Sequence, residues 1–263
     1  MRLVEDRRGA GPSVLFLHGG NVAGWMWRDQ AAALPGHHTL VPDLPGFGGS
    51  AGERWTGLAG VVDSLAELVR THGEGGRAHV VGLSLGGIVG VVLTARHPDV
   101  VRSTFVTGAA VRGVGPLTRA LGLGQLRLWG RRRYWTALAR AFRLPADSVG
   151  EFVTTGLGID RDSARRMMRQ VYDGVPPALL DGLRSLDAPL LAIAGERELR
   201  AVRAALPEIA GRAPRGVAAL APRMHHVWSA EDPELFHRVL AHWLARAEPS
   251  PELLPVTGER AGR

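Results

Sequence analysis

The sequence contains no cysteine, no lysine and no long hydrophobic run. The absence of cysteine excludes disulfide bonds, thiolate metal sites and a cysteine nucleophile. No apolar run approaches the ~20 residues that a membrane-spanning helix needs, and the first residues lack the apolar stretch of a secretory signal. These absences predict a cytoplasmic protein without a membrane span.

The basic residues of this chain are all arginines, and the formal net charge at pH 7 is +7. Nucleic-acid binding needs basic residues gathered on one face with stacking aromatics, whereas most of these arginines are scattered. The one dense cluster, residues 131–133, adjoins Tyr134 and Trp135. We favour the interpretation that this cluster is a solvated turn over the interpretation that it contacts nucleic acid or a membrane. A third interpretation is that it attracts an acidic substrate. Nucleic acid is therefore not an expected partner.

Short apolar runs typical of strands alternate with apolar residues at the spacing typical of helices. The helical spacing is found over residues 61–69, 88–95 and 235–244. The strand-like runs lie at residues 14–17, 39–42, 79–83, 101–107, 189–194 and 216–220. This alternation predicts an α/β protein with a mostly parallel central sheet and helices on both faces. At 263 residues the chain is long enough for one such domain.

The most informative motif is residues 82–86, which read GLSLG and follow a short apolar run. A strand, a sharp turn carrying a serine and then a helix is the context that a nucleophile elbow requires. The flanking glycines remove side chains where strand and helix crowd together. The turn lifts the Ser84 hydroxyl above the sheet and leaves the Leu85 N–H at a helix N-terminus, where negative charge is favoured. Ser84 is therefore the predicted nucleophile.

Three further segments surround this serine in the chain. Residues 18–21 (HGGN) follow an apolar run, residues 42–50 (PDLPGFGGS) form a glycine-rich loop, and residues 224–228 (MHHVW) precede the last helix. An oxyanion loop, a serine and a histidine occur in this order in α/β-hydrolases. Over roughly residues 3–246 the sequence therefore resembles the α/β-hydrolase family, in particular its compact esterase and haloperoxidase-like branch.

The resemblance implies a domain division. Residues 1–110 and 188–247 are expected to form the α/β-hydrolase core, and residues 111–187 a helical lid inserted over the active site. Residues 248–263 start with two prolines in a polar stretch and are predicted to be a disordered tail. The family usually has two strands before the oxyanion strand. Here either residues 2–8 supply a single short one, or the first edge strand has been lost.

The resemblance also implies the catalytic base. In the family the catalytic histidine lies five residues before the glutamate of an E-x-P-x-x-F pattern, which Glu231, Pro233 and Phe236 match. Counting back from Glu231 gives His226. The neighbouring His225 replaces the usual glycine, and it is either a loop residue or a donor in the pocket.

The acid of the triad is expected after the strand that ends near Ala194, where the family commonly reads G-x-x-D. This sequence reads GERE over residues 195–198, which places Glu198 in the acidic position. Glu196 is the alternative acid. A third interpretation pairs both glutamates with neighbouring arginines and leaves serine and histidine as a dyad.

The oxyanion hole is expected to combine the N–H groups of Leu85 and Gly20. Such donors each contribute on the order of 3 kcal/mol to stabilising the transition state. His18 is interpreted as part of this turn and not as a base, and Asn21 is a further candidate for substrate binding.

Three tryptophans complete the predicted substrate-binding set, namely Trp25, Trp129 and Trp135. Trp25 follows the expected oxyanion loop, and the other two lie in the expected lid. Packing of these rings between lid and core is the alternative. Aromatic walls favour a small-molecule substrate with an apolar acyl group or a ring.

These residues favour a cofactor-free serine hydrolase that cleaves a carboxylic ester, thioester or lactone through an acyl-enzyme. An alternative keeps the fold but changes the reaction to that of a lyase, a cyclase or a C–C bond hydrolase. A ligand-binding receptor is the least favoured, because a receptor has no need of an aligned base. The sequence has no phosphate-binding G-K-[ST] loop and no H-E-x-x-H zinc pair, so no metal site is expected.

Overall fold

The computed structural model describes residues 1–7 and 9–256, and its helices surround one eight-stranded sheet. The strands are β1 Leu3–Arg7, β2 Gly11–Leu17, β3 His37–Pro42, β4 Ala78–Leu83, β5 Val101–Thr107, β6 Leu190–Gly195, β7 Gly216–Ala221 and β8 Leu254–Pro255. Their order across the sheet is β1-β3-β2-β4-β5-β6-β7-β8. Only the edge strands β1 and β8 run antiparallel to their neighbours. The prediction of a mostly parallel α/β sheet is confirmed.

The two edge strands β1 and β8 lie near the first and the last of the described residues, and their pairing tests two predictions. At the front, β1 pairs with β3, so the first of the two predicted alternatives, a single short strand, is correct. At the other end, Leu254 pairs with Leu220, and Ser250 and Leu253 are buried. The prediction of a disordered tail is therefore wrong for residues 248–256. The remainder of that tail lies outside the described residues.

Helices cover both faces of the sheet. The α-helices are α1 Arg28–Ala32, α2 Leu58–His72, α3 Leu85–Arg96, α4 Pro116–Gly124, α5 Arg132–Ala141, α6 Ser148–Gly158, α7 Arg161–Asp173, α8 Arg200–Ala210, α9 Trp228–Glu231 and α10 Pro233–Arg246. Short 3-10 helices lie at Gly24–Trp27, Gly48–Ser50, Glu74–Gly76, Pro98–Val100, Gln125–Leu128, Pro177–Leu179 and Asp181–Ser185. Among the described residues, no helix is long and apolar enough to cross a membrane.

The alternation of side chains along β2 produces two hydrophobic cores. Successive residues of a strand point to opposite faces. Accordingly, Val14 and Phe16 pack in the core with α10, whereas Leu15 and Leu17 pack in the core with α2 and α3. Because both faces of the strand are covered, its sequence is an apolar run and not an alternating pattern.

The last helix starts at two residues that are typical of helix N-termini. The Asp232 side chain accepts a hydrogen bond from the Leu235 N–H at 2.9 Å, and Pro233 occupies the first helical position. Aspartate satisfies an otherwise unpaired N–H there, and proline has no N–H to leave unpaired. This helix holds Phe236 against Trp27, with ring centroids 5.7 Å apart.

Between β5 and β6, residues 111–187 form a helical insertion that contains α4 to α7. Its own core is aromatic: the Trp135 ring lies edge-on to Trp129 and Phe152, at centroid distances of 5.1 and 5.7 Å. The Trp135 indole N–H donates to the carbonyl of Trp129 at 2.7 Å. Gly156 of α6 packs directly under the Trp135 ring, where a Cβ would overlap it.

His79 of β4 makes the stability of the fold depend on pH. Burial, reinforced by the positive charges of His37, Arg102 and Arg77, lowers the pKa of His79 from 6.5 to about 4. Between these values the unfolded chain binds a proton that the folded chain does not. The free energy of unfolding therefore keeps its full value above pH 6.5, where the imidazole is neutral in both states. It decreases as the pH falls towards 4, because protonation then favours the unfolded chain.

We therefore expect the free energy of unfolding to fall on acidification and His79→Asn to weaken this dependence. The amide that this substitution introduces can keep the hydrogen bond that the ring Nδ1 shares with Ser103 at 2.8 Å. The free energy of unfolding, measured with denaturant, should decrease between pH 7 and pH 5 by about 1–2 kcal/mol less in the variant than in the natural protein. An unchanged pH dependence would contradict this account.

Candidate active site

Ser84 lies on a strained turn between β4 and α3. Its backbone has φ 55° and ψ −113°, a region that a non-glycine residue adopts only when its surroundings enforce it. The Ser84 N–H donates to the Thr107 carbonyl at 2.8 Å, and its own carbonyl accepts from the Ile88 N–H at 3.0 Å. These bonds tie the turn to β5 on one side and to α3 on the other.

The two glycines of the motif are required by close backbone contact. A Cβ at Gly86 would overlap the Leu17 carbonyl oxygen, and a Cβ at Gly82 would overlap the Gly86 carbonyl oxygen. Gly86 therefore lets the elbow approach β2, and Gly82 lets the end of β4 approach the start of α3.

His226 and Glu198 lie in two loops at the ends of neighbouring strands. The His226 ring Nδ1 is 2.9 Å from Glu198 Oε2, and the Glu198 side chain is only 4% exposed. A carboxylate only accepts, so Nδ1 carries the proton and Nε2 keeps a free lone pair. The loops meet at Gly195, where a Cβ would overlap the backbone of the histidine loop.

Glu196, the alternative acid, is engaged elsewhere. Its Oε2 accepts a hydrogen bond from the Arg223 N–H at 2.7 Å. The structure therefore brings Glu198, and not Glu196, to the histidine.

His225 acts as a loop residue and does not line the cavity at Ser84. Its ring Nδ1 lies 2.8 Å from Glu231 Oε1, and its backbone N–H donates to Glu231 Oε2 at 2.8 Å. Burial opposes ionisation of Glu231, but the two hydrogen bonds and the charges of His225 and Arg143 lower its pKa. The glutamate of the E-x-P-x-x-F pattern thus fastens the loop that carries His226.

His226 packs against the end of β5 and against the insertion. Gly108 has φ +65°, and a Cβ there would lie 2.9 Å from His226 Cε1. On another side, the Phe142 ring of the insertion is 6.3 Å from the imidazole, centroid to centroid. Gly108 therefore leaves the space that the imidazole occupies.

Residues 18–21, the predicted oxyanion loop, lie directly beside the elbow. A Cβ built on Gly20 would be 4.0 Å from the Leu85 Cβ, so these two residues are neighbours, as the sequence predicts. Asn21 follows with φ 74°, a left-handed conformation that asparagine tolerates better than most residues.

His18 holds the oxyanion loop in place. Its Nδ1 donates to the Gly19 carbonyl at 2.8 Å, and its Nε2 accepts from the Leu44 N–H at 2.9 Å. Burial lowers the pKa of His18, which keeps one ring nitrogen free to accept. The adjacent Asp43 accepts from the Gly24 and Gly49 N–H groups at 2.7 and 2.6 Å.

Ser84 and His226 open onto one cavity of about 190 Å³. Its walls come from the oxyanion loop, the elbow, the histidine loop and the helical insertion. The insertion contributes mostly apolar side chains, namely Phe142, Leu144, Phe152, Met167, Met168 and Val171, together with Gln125 and Tyr172. Gly20, Asn21 and Leu85 also line it.

The three predicted tryptophans do not line this cavity, which corrects the predicted substrate-binding set. Trp129 and Trp135 are buried against each other inside the insertion. Trp25 lines a neighbouring cavity of about 280 Å³, and its indole N–H donates to Thr155 Oγ1 at 2.9 Å. Aromatic residues at helical spacing serve here as packing between helices.

Sequence reasoning missed Gly108, Gln125 and Tyr172. A glycine directly after a buried strand was the available signal for Gly108. Nothing in the sequence distinguishes Gln125 or Tyr172 from other polar residues on short helices. Across residues 1–7 and 9–256, no group of three or more His, Cys, Asp or Glu side chains is arranged to hold a metal ion.

The contact between Gly86 and β2 gives a direct test of the elbow. We expect Gly86→Ala to lower the free energy of unfolding by at least about 2 kcal/mol, because the added methyl overlaps backbone that cannot move aside. The matched control is Gly150→Ala in α6, where a Cβ meets nothing within 4 Å. It should be neutral or stabilising by up to about 1 kcal/mol. The free energy of unfolding of both variants is measured with denaturant. Equal values for the two variants would contradict the steric role of Gly86.

Comparison with known proteins identifies the family and the fold. The family model of the alpha/beta hydrolase fold matches residues 12–178. The pimeloyl-[acyl-carrier protein] methyl ester esterase of Aeromonas hydrophila is 23% identical over 270 residues, covering 93% of this chain and 100% of that protein. An AB hydrolase superfamily protein of Gibberella zeae is 38% identical over 100 residues, covering 37% of this chain and 36% of that protein.

Solved structures give the same fold. The enol-lactonase of Burkholderia xenovorans LB400 superimposes with a TM-score of 0.76 at 22% identity, covering 93% of this chain and 95% of that one. A thermophilic esterase of Thermogutta terrifontis gives a TM-score of 0.74 at 20% identity, with 92% of each chain covered. Since the family model matches more than half of the sequence, this chain belongs to the alpha/beta hydrolase fold family.

Proposed function

We propose that this protein is a serine hydrolase that cleaves a carboxylic ester, thioester or lactone without a cofactor. The observation that carries the proposal is the hydrogen bond between His226 Nδ1 and the buried Glu198 carboxylate, at 2.9 Å, in a loop whose imidazole lines the same cavity as Ser84. A serine hydroxyl is a poor nucleophile unless a base takes its proton and a third group orients that base.

In this mechanism the Ser84 oxygen attacks the substrate carbonyl while His226 Nε2 takes the hydroxyl proton. Glu198 stabilises the imidazolium that forms. The N–H groups of Gly20 and Leu85 stabilise the negative oxygen of the tetrahedral intermediate. His226 then returns the proton to the leaving alcohol or thiol, which leaves an acyl-enzyme on Ser84. Water, activated by the same histidine, releases the acid and restores the serine.

The walls of the cavity favour a substrate with an apolar acyl group or a ring. Phe142, Phe152 and Met167 line the cavity that Ser84 shares, and apolar walls bind apolar groups by removing their surface from water. Proteins similar to this chain include a methyl ester esterase and an enol-lactonase, which supports an ester or lactone bond as the target.

We further propose that the helical insertion acts as a lid. Its residues form one wall of the cavity, and polar contacts tie it to the core beside the oxyanion loop. Arg28 lies 3.2 Å from Glu151, in addition to the bond between Trp25 and Thr155. A lid of this kind controls substrate entry and excludes water from the reaction.

The first test is turnover of p-nitrophenyl acyl esters of increasing chain length by the natural protein and by Ser84→Ala. We expect the variant to lose at least about 10³-fold in kcat, because no other group supplies the nucleophile. A fluorophosphonate probe should label the natural protein and not the variant. Absence of both turnover and labelling in the natural protein would overturn the proposal and favour a lyase, a cyclase or a receptor.

The second test separates the two candidate acids. Glu198→Gln should lower kcat by about 10²- to 10⁴-fold, because the neutral amide no longer stabilises the imidazolium. Glu196→Gln is the matched control and should stay within about twofold, since that side chain caps a loop N–H. Circular dichroism should give both variants the natural fold. Full activity of Glu198→Gln would favour a dyad without an acid.

A further inference from the structure

Two polar side chains interrupt the apolar wall that the helical insertion presents to Ser84. Gln125 follows α4 and Tyr172 lies near the end of α7, and both line the cavity of about 190 Å³. The mechanism above uses neither of them. Polar groups in an apolar pocket are costly unless they are paired, and they commonly orient a ligand.

Gln125 and Tyr172 belong to a chain of hydrogen bonds in which each group donates to the next. The Tyr134 hydroxyl donates to Gln125 Oε1 at 2.7 Å, and Gln125 Nε2 donates to the Tyr172 hydroxyl oxygen at 3.5 Å. Tyr172 is therefore the acceptor at the end of this chain. Among the described residues, none accepts the proton of the Tyr172 hydroxyl, and Tyr172 lines the cavity.

Packing holds the hydroxyl of Tyr172 in position. Gly122 of α4 lies against it, and a Cβ there would overlap both the hydroxyl oxygen and the ring. Burial raises the pKa of Tyr172, although the bond from Gln125 opposes the shift. The group therefore stays protonated and able to donate at neutral pH.

The cavity also limits the charge of the atom that accepts this proton. Among the described residues that line it, there is no arginine, aspartate or glutamate. A charged carboxylate beside Tyr172 would be desolvated there without an arginine to pair with, which is unfavourable. A neutral oxygen carries no such cost.

We propose that Tyr172, supported by Gln125 and Tyr134, binds a neutral acceptor oxygen on the substrate. This oxygen would be a carbonyl, ether or hydroxyl oxygen on the otherwise apolar part of the molecule, away from the bond that Ser84 attacks. The inference rests on the proposed function for the identity of the reacting end, and it narrows the substrate from a plain apolar acyl group to one that carries an internal oxygen.

The test compares a p-nitrophenyl alkanoate with isosteres in which a carbonyl replaces one methylene, at each position along the chain in turn. We expect the natural protein to prefer one oxo ester over its alkyl parent by about 3- to 10-fold in kcat/KM, which is the usual effect of one neutral hydrogen bond. Tyr172→Phe should abolish this preference, because the phenyl ring keeps the shape of the side chain and lacks the hydroxyl proton that the oxo group accepts. Tyr134→Phe should reduce the preference to a smaller extent, because Gln125 is then held less firmly.

A second variant guards against a fold defect in Tyr172→Phe. Gly122→Ala keeps the tyrosine but displaces its hydroxyl, so it should lose the same preference. Retention of the preference in Tyr172→Phe, or absence of any preference in the natural protein, would overturn the inference.

A binding measurement separates this inference from the proposed function. In the Ser84→Ala background, calorimetry with the corresponding oxo and alkyl N-methyl amides requires no turnover. Adding Tyr172→Phe should weaken binding of the preferred oxo amide by about 3- to 10-fold and leave that of the alkyl amide unchanged. If the fluorophosphonate probe fails to label Ser84 but this difference persists, the hydrolase proposal fails and the role of Tyr172 stands. Equal weakening of both amides would overturn that role.

Discussion

The catalytic geometry depends on how closely the backbone of the elbow approaches the backbone of β2. Gly86 lies against the Leu17 carbonyl and Gly82 against the Gly86 carbonyl, at distances that no side chain allows. The same approach places the Leu85 N–H next to the oxyanion loop that leaves β2. The residues proposed as oxyanion donors, Gly20 and Leu85, are therefore neighbours beside Ser84.

The histidine loop obeys a comparable constraint at the other side of the cavity. Gly195 lets the loop that carries Glu198 pass against the histidine loop, and Gly108 leaves room for the imidazole itself. Glu231 fastens the loop from outside through the His225 backbone and ring. The carboxylate, the imidazole and the serine therefore come from the ends of different strands, yet each is held by backbone contact and not by its own side chain alone.

The residues of the helical insertion divide into those that line the cavity and those that stabilise the insertion. The helical insertion contributes apolar side chains to the cavity, while its aromatic residues Trp129 and Trp135 stabilise the insertion itself. The polar chain that ends at Tyr172 is the exception in this wall. An apolar cavity with a few fixed polar groups is the usual design of a small-molecule site, since burial supplies affinity and the polar groups supply orientation.

The sequence by itself determined the six strands β2 to β7, the order of the loop, serine and histidine motifs, and the fold class, because periodicity and glycine spacing are local properties. It left Glu198 and Glu196 as alternatives, since two residues of one loop differ only in where the loop folds. It failed for β8, whose two residues become a strand only by pairing with β7. It also failed for Trp129 and Trp135, because a helix pattern shows which side chains share a face and not what that face contacts. The tertiary structure alone decided which acid meets His226, which side chains line the cavity and where Tyr172 presents its hydroxyl, because each depends on contacts between residues far apart in the chain.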